Sequence, residues 1–103
     1  MKRHDEGAGH RHARLQELFL EELRSIFSDD ISDPELEGVR IVAVVLSVDY
    51  RHLRVHYALD GAARSDAVER ALARATPFLR RCLATTLDLK VVPDLRFVRE
   101  GGA

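Results

Sequence analysis

The apolar residues change their period along this chain, and the order of those changes limits what it can become. Leu15, Leu18, Phe19, Leu23, Ile26 and Phe27 recur every three or four residues, so they share one face of a helix. That period stops at Ser28-Asp29-Asp30 and Ser32-Asp33-Pro34, where capping and turn residues cluster and Pro34 drives Asp33 out of helical geometry. Val39 to Val48 is almost continuously apolar, the pattern of a strand with neighbours and a central place in its sheet. After turn chemistry at Asp49-Tyr50-Arg51-His52, Leu53, Val55, Tyr57 and Leu59 alternate with Arg54, His56 and Ala58, as in a half-buried second strand.

Helical spacing returns at Ala67, Val68, Ala71, Leu72 and Ala75, behind a candidate cap at Ser65 with Asp66 in the first turn. Pro77 falls inside this stripe. Because its ring removes an amide donor and clashes with the turn before it, the chain is expected to break at Ala75-Thr76-Pro77. A new helix then runs from Phe78 to Leu87, with Leu79, Cys82, Leu83 and Leu87 inward. A last strand follows Pro93, with Leu95 and Phe97 inward. The fold class is α+β: one domain of order helix-strand-strand-helix-kink-helix-strand, with a three-stranded sheet packed against helices. Its bounds are residues 10–99, with a loose tail over 1–9 and a frayed end over 100–103.

With 103 residues there is room for one core and hardly a second. No apolar run reaches the ~20 residues that span a bilayer, and Met1-Lys2-Arg3-His4 opens no secretory signal. The lone Cys82 points to a reducing compartment and, from its place on the apolar stripe, to packing. The net charge of −1 conceals a division: residues 17–37 hold eight acids against Arg24, and residues 74–99 hold six bases against Asp88 and Asp94. A bipolar domain of this kind offers a basic face to phosphates while its acidic side repels them. His4, His10 and His12 match no closed zinc site. Asp29, Asp30 and Asp33 do not follow a calcium-loop series, so loop capping accounts for them better. Ser47 and Ser65 lack a nucleophile-elbow setting, and no glycine-rich phosphate loop is present. Neither an enzyme nor a cofactor is expected.

Several segments carry a family resemblance: Asp33-Pro34-Glu35-Leu36, then Ser47-Val48-Asp49-Tyr50 followed by Leu53-Arg54-Val55-His56-Tyr57. The strongest is Ala75-Thr76-Pro77-Phe78-Leu79-Arg80-Arg81, continuing through Leu87-Asp88-Leu89-Lys90 to Pro93-Asp94-Leu95-Arg96-Phe97. In order and spacing these resemble the bacterial ribosome-binding factor A family, whose fold is a type II KH-like domain. The resemblance implies a cytoplasmic, monomeric, non-catalytic assembly factor. Its partners would be the free small ribosomal subunit and its ribosomal RNA, where it helps late maturation and 5′-end processing, with a link to growth in the cold. It also implies RNA contact around the bend, at Arg74, Thr76, Pro77, Arg80, Arg81 and Lys90, extended by Arg11 and Arg14. Proline stands at 77 where the family commonly has glycine, so a backbone contact at residue 77 itself is not expected. The competing reading is a ferredoxin-like module that dimerises without RNA; such a chain begins with a strand, whereas a helix is expected here from Leu15 to Phe27.

Overall fold

The computed structural model describes residues 2–61 and 64–101, with side chains from residue 9 onward. Helix α1 (Lys2–Ser25) ends in a π-helical turn over Ile26–Asp30, and a short 3-10 turn follows at Pro34–Leu36. Strands β1 (Val39–Leu46) and β2 (His52–Leu59) lead to helix α2 (Ser65–Thr86) and strand β3 (Asp94–Arg99). The sheet order is β1-β2-β3, with β1 antiparallel and β3 parallel to β2. Both helices pack on one face: Phe19, Leu23 and Ile26 from α1 and Val68, Leu72, Leu79 and Leu83 from α2 enclose Ile41, Val44, Leu53, Val55 and Tyr57 in a single core.

The α+β class and the element order are those expected, but four details differ. The first concerns the bend. α2 is one helix with Pro77 in its interior, not two helices parted at Ala75-Thr76-Pro77. The apolar stripe explains why: Val68, Ala71, Leu72, Leu79 and Leu83 are all buried, so the same core holds the helix on both sides of the proline. Pro77 lies on the solvent face. The carbonyl it leaves without a donor belongs to exposed Ala73, where water can serve it. One residue before Pro77, the Thr76 hydroxyl donates to the Leu72 carbonyl at 2.8 Å, the i−4 bond open to a threonine within a helix.

The second concerns the sheet. β2 is central, and apolar β1 is an edge strand. Its free edge is closed by α1: Gln16 accepts from the Leu46 amide at 2.8 Å, and Arg24 donates to the Ile41 and Val42 carbonyls at 3.2 and 3.1 Å. Side chains thus stand in for a fourth strand and cover an edge otherwise open to pairing. The register also shifts between Ile41 and Ala43, which marks a bulge.

The third is the N-terminus, where the expected tail over residues 1–9 is helical from Lys2. Once α1 is nucleated, each added residue gains a hydrogen bond; Gly7 and Gly9 weaken that extension by about 1 kcal/mol apiece without ending it. Met1 lies outside the described residues. The fourth is the start of α2, whose cap position is Arg64, with Ser65 already helical.

At its other end α2 stops in a left-handed residue, Asp88 (φ 54°), and the Leu89 amide turns back to the Ala84 carbonyl at 2.9 Å. That turn projects Lys90 and Val91 outward before buried Pro93 leads into β3. Glu100, expected to fray, is tied to β2 through its amide to the Tyr57 carbonyl (2.7 Å) and its carboxylate to His56 (2.8 Å). Gly102 and Ala103, the rest of that expected frayed end, lie outside the described residues.

Candidate nucleic-acid interface

The side chains expected at the bend divide into those engaged within the protein and those facing water. Arg74 reaches across to the loop after α1, 2.9 Å from Glu35 and 3.4 Å from Asp33. The Glu35 and Asp33 hydrogen bonds raise its pKa above the usual guanidinium value. Asp33 also accepts from the Glu35 amide, so it caps the 3-10 turn as loop chemistry requires. Arg80 folds inward: its terminal nitrogen donates to the Val92 carbonyl at 2.8 Å, and its Nε is buried without a partner. Asp94 stands 3.9 Å from the same guanidinium. Two of the expected phosphate contacts therefore hold loops onto α2.

Arg81 and Lys90 are exposed, with no ion pair among the described residues. Since α2 does not restart at Phe78, no ring of free helix amides opens there to attract an anion. Thr76 is half-buried and occupied with Leu72; Pro77 is exposed and has no amide hydrogen to offer.

Arg11 and Arg14 lie elsewhere, on the N-terminal half of α1. They are exposed and, among the described residues, unpaired. With Leu15, Leu18 and Tyr50 they line a shallow groove of about 540 Å³. His12 turns to the sheet, its Nε2 lying 2.9 and 3.2 Å from the Leu46 and Ser47 carbonyls, to which it donates. No set of three or more histidine, cysteine or carboxylate side chains among the described residues is placed to hold a metal. Burial raises the pKa of the Cys82 thiol, and Asp30 and Glu22 add to that effect, which suits a packing residue rather than a nucleophile.

Two features escaped the sequence reading. Arg54 and Arg96 stand directly opposite each other on β2 and β3, on the sheet face that carries no helix. Like charges so placed repel. Each is visible as an outward residue of an alternating strand, but their juxtaposition depends on the parallel β2–β3 register. Tyr50, within the turn joining β1 and β2, takes up left-handed backbone geometry at φ 67°. Nothing in its residue type announces that, because glycine, asparagine and aspartate are the usual occupants.

These features define a small α+β domain with a helix-free sheet face and cationic groups in three places: the groove on α1, the far end of α2 and the β2–β3 register. A family profile described as ribosome-binding factor A matches residues 11–102. The chain belongs to the ribosome-binding factor A family. It is 40% identical over 95 residues to ribosome-binding factor A of Heliobacterium modesticaldum, covering 90% of this chain and 78% of that protein. With the Dechloromonas aromatica protein of the same name it shares 33% over 85 residues, 82% of this chain and 69% of that one. The crystal structure of ribosome-binding factor A from Thermus thermophilus superposes with a TM-score of 0.78 at 26% identity, covering 89% of this chain and 98% of that one. A homology model of the Thermus thermophilus factor, fitted into the cryo-EM map of a 30S complex, gives 0.62 at 28% identity, covering 91% and 98%.

Proposed function

We propose that this protein is a ribosome assembly factor that binds the free small ribosomal subunit in the cytoplasm and promotes late maturation and 5′-end processing of its RNA. It acts as a monomer, by binding and not by catalysis. RNA conformers that dock on it gain population over those that do not. The observation that carries this reading is its likeness, over nine-tenths of the chain, to a homologue fitted into a 30S complex.

The cations open to solvent supply the phosphate contacts: Arg81 and Lys90 at one end of the domain, Arg11 and Arg14 at the other. Arg54 and Arg96 add a pair whose mutual repulsion an RNA phosphate relieves. Arg74 and Arg80 contribute less directly, by fixing the loops against α2.

Co-sedimentation across a salt series tests the reading. Binding to free small subunits, absent from whole ribosomes and falling steeply with salt, is the expected result. Equal recovery with both particles, or with neither, would overturn it.

A further inference from the structure

We propose that the groove between Tyr50 and the N-terminal half of α1 takes an unpaired nucleotide of RNA, its base against the Tyr50 ring and its phosphates at Arg11 and Arg14. This rests on the small-subunit reading above and names a recognition element that the reading leaves open.

The turn over residues 47–52 holds a bulky side chain in backbone geometry that such residues rarely adopt. It does so through more bonds than reversal of the chain requires. The Asp49 carboxylate accepts from the Ser47 hydroxyl at 2.7 Å and from the Arg51 amide at 3.0 Å. The Ser47 oxygen accepts in turn from the His52 amide at 2.9 Å, and the Tyr50 amide donates to the Ser47 carbonyl at 3.0 Å. β3 joins in, its Asp94 amide donating to the Arg51 carbonyl at 2.8 Å. Strain maintained by so many surrounding bonds marks a place where the position of a side chain matters.

That position is against α1. The Tyr50 ring meets His12 edge to face, with centroids 5.2 Å apart and planes at 80°. His12 is itself fixed by two strand carbonyls. The phenol is thus set in place before any partner arrives, while 38% of the residue remains exposed. Around it the groove has apolar walls from Leu15 and Leu18, two guanidinium groups, and no carboxylate among its described lining residues. Asp49, the acid of the turn, already has its hydrogen bonds to Ser47 and Arg51.

A flat unsaturated ring carried on an anionic chain matches this combination. Aromatic side chains stack on unpaired bases with little regard to sequence, and arginine suits phosphate geometry. Two cations without an ion-pair partner among the described residues suit the phosphates of RNA better than a neutral protein segment, so charge favours RNA.

The test compares full-length Tyr50→Phe and Tyr50→Leu with the wild type for affinity to free small subunits. Thermal melting of each variant establishes that it is folded. Tyr50→Phe keeps the ring and should bind within about twofold, whereas Tyr50→Leu keeps apolar bulk alone and should bind about tenfold more weakly. Arg11→Gln with Arg14→Gln should flatten the salt dependence by about 1.4–1.8 units of slope. With no tryptophan in the chain and Tyr57 buried, tyrosine emission should be quenched by a 12-residue oligouridylate in the wild type and not in Tyr50→Leu. Equal affinity of folded Tyr50→Leu and wild type would overturn the inference while leaving the small-subunit reading intact. A loss in Tyr50→Leu with no slope change in the arginine variant would assign the groove to a protein segment and also overturn it. Failure of the wild type to bind subunits would remove the underlying reading instead.

Discussion

The middle of α2 and the N-terminal half of α1 both carry arginines on a helix surface, yet they use them differently. On α2, Arg74 is bound to Asp33 and Glu35, and Arg80 to the Val92 carbonyl. On α1, Arg11 and Arg14 border an apolar groove and have no such partners among the described residues. The difference follows from what each helix lies beside. α2 is flanked by the loop that ends α1 and by the loop that enters β3, both rich in acceptors. The groove on α1 lies beside the β1–β2 turn, whose one carboxylate is already held by the turn itself. A count of positive charge ranks the α2 region first; a count of cations left to solvent among the described residues puts the two level, Arg81 and Lys90 against Arg11 and Arg14.

Pro77→Ala makes the largest test of this contrast. Restoring the missing amide and removing the ring clash relieves about 3 kcal/mol, while the added freedom of the unfolded chain takes back up to about 1 kcal/mol. Chemical denaturation should therefore show the variant more stable by about 2 kcal/mol, with affinity for small subunits changed less than twofold. An unchanged stability would mean that the helix is already interrupted at the proline. A large fall in affinity would return the recognition surface to the bend.

The same residue shows what the sequence could and could not disclose. Apolar spacing located both helices and all three strands, because burial on one face imposes a period that local residues must obey. It also indicated that helical character resumes after Thr76. Whether the two halves form one helix depended on whether the stripe stays in phase across the proline and whether the orphaned carbonyl faces water, and Ala73 and Leu79 answer that only in three dimensions. The pairing of Arg74 with Glu35, thirty-nine residues apart, is likewise a tertiary event. So is the closure of the β1 edge by Gln16 and Arg24, which allows a strongly apolar strand to lie outside the sheet's centre.

Neighbouring arginines sharpen the comparison further. Arg80→Met keeps the apolar stem but loses the charged donor to Val92, for a cost of about 1 kcal/mol and a melting temperature lower by roughly 4–8 °C. Arg81→Gln, one residue on, should leave melting within a degree or two and instead reduce the salt slope of subunit binding by about 1 unit. If the two substitutions act alike in both assays, the division between engaged and free cations does not describe this helix.

The smallest effect concerns the turn that presents Tyr50, and acid should reveal it. The Ser47 hydroxyl and then the Arg51 amide, both donating to the Asp49 carboxylate, hold its pKa below the ordinary value of 3.8. A carboxylate depressed in the folded state stabilises that state at every pH above the unfolded value, and the contribution disappears as pH falls through the folded one. Between pH 5 and 8 the bonds to Asp49 should therefore lose nothing to protonation of its carboxylate. Below about pH 4 the Arg51 and His52 amide resonances should shift together as protonation weakens the shared acceptor and, through Ser47, the next bond in the series. Asp49→Asn retains an acceptor without the charge, so it should abolish that acid transition while keeping the Tyr50 ring beside His12. An Asp49→Asn protein that still shows the transition would place its origin in another carboxylate and separate the strained turn from the bonds credited with holding it.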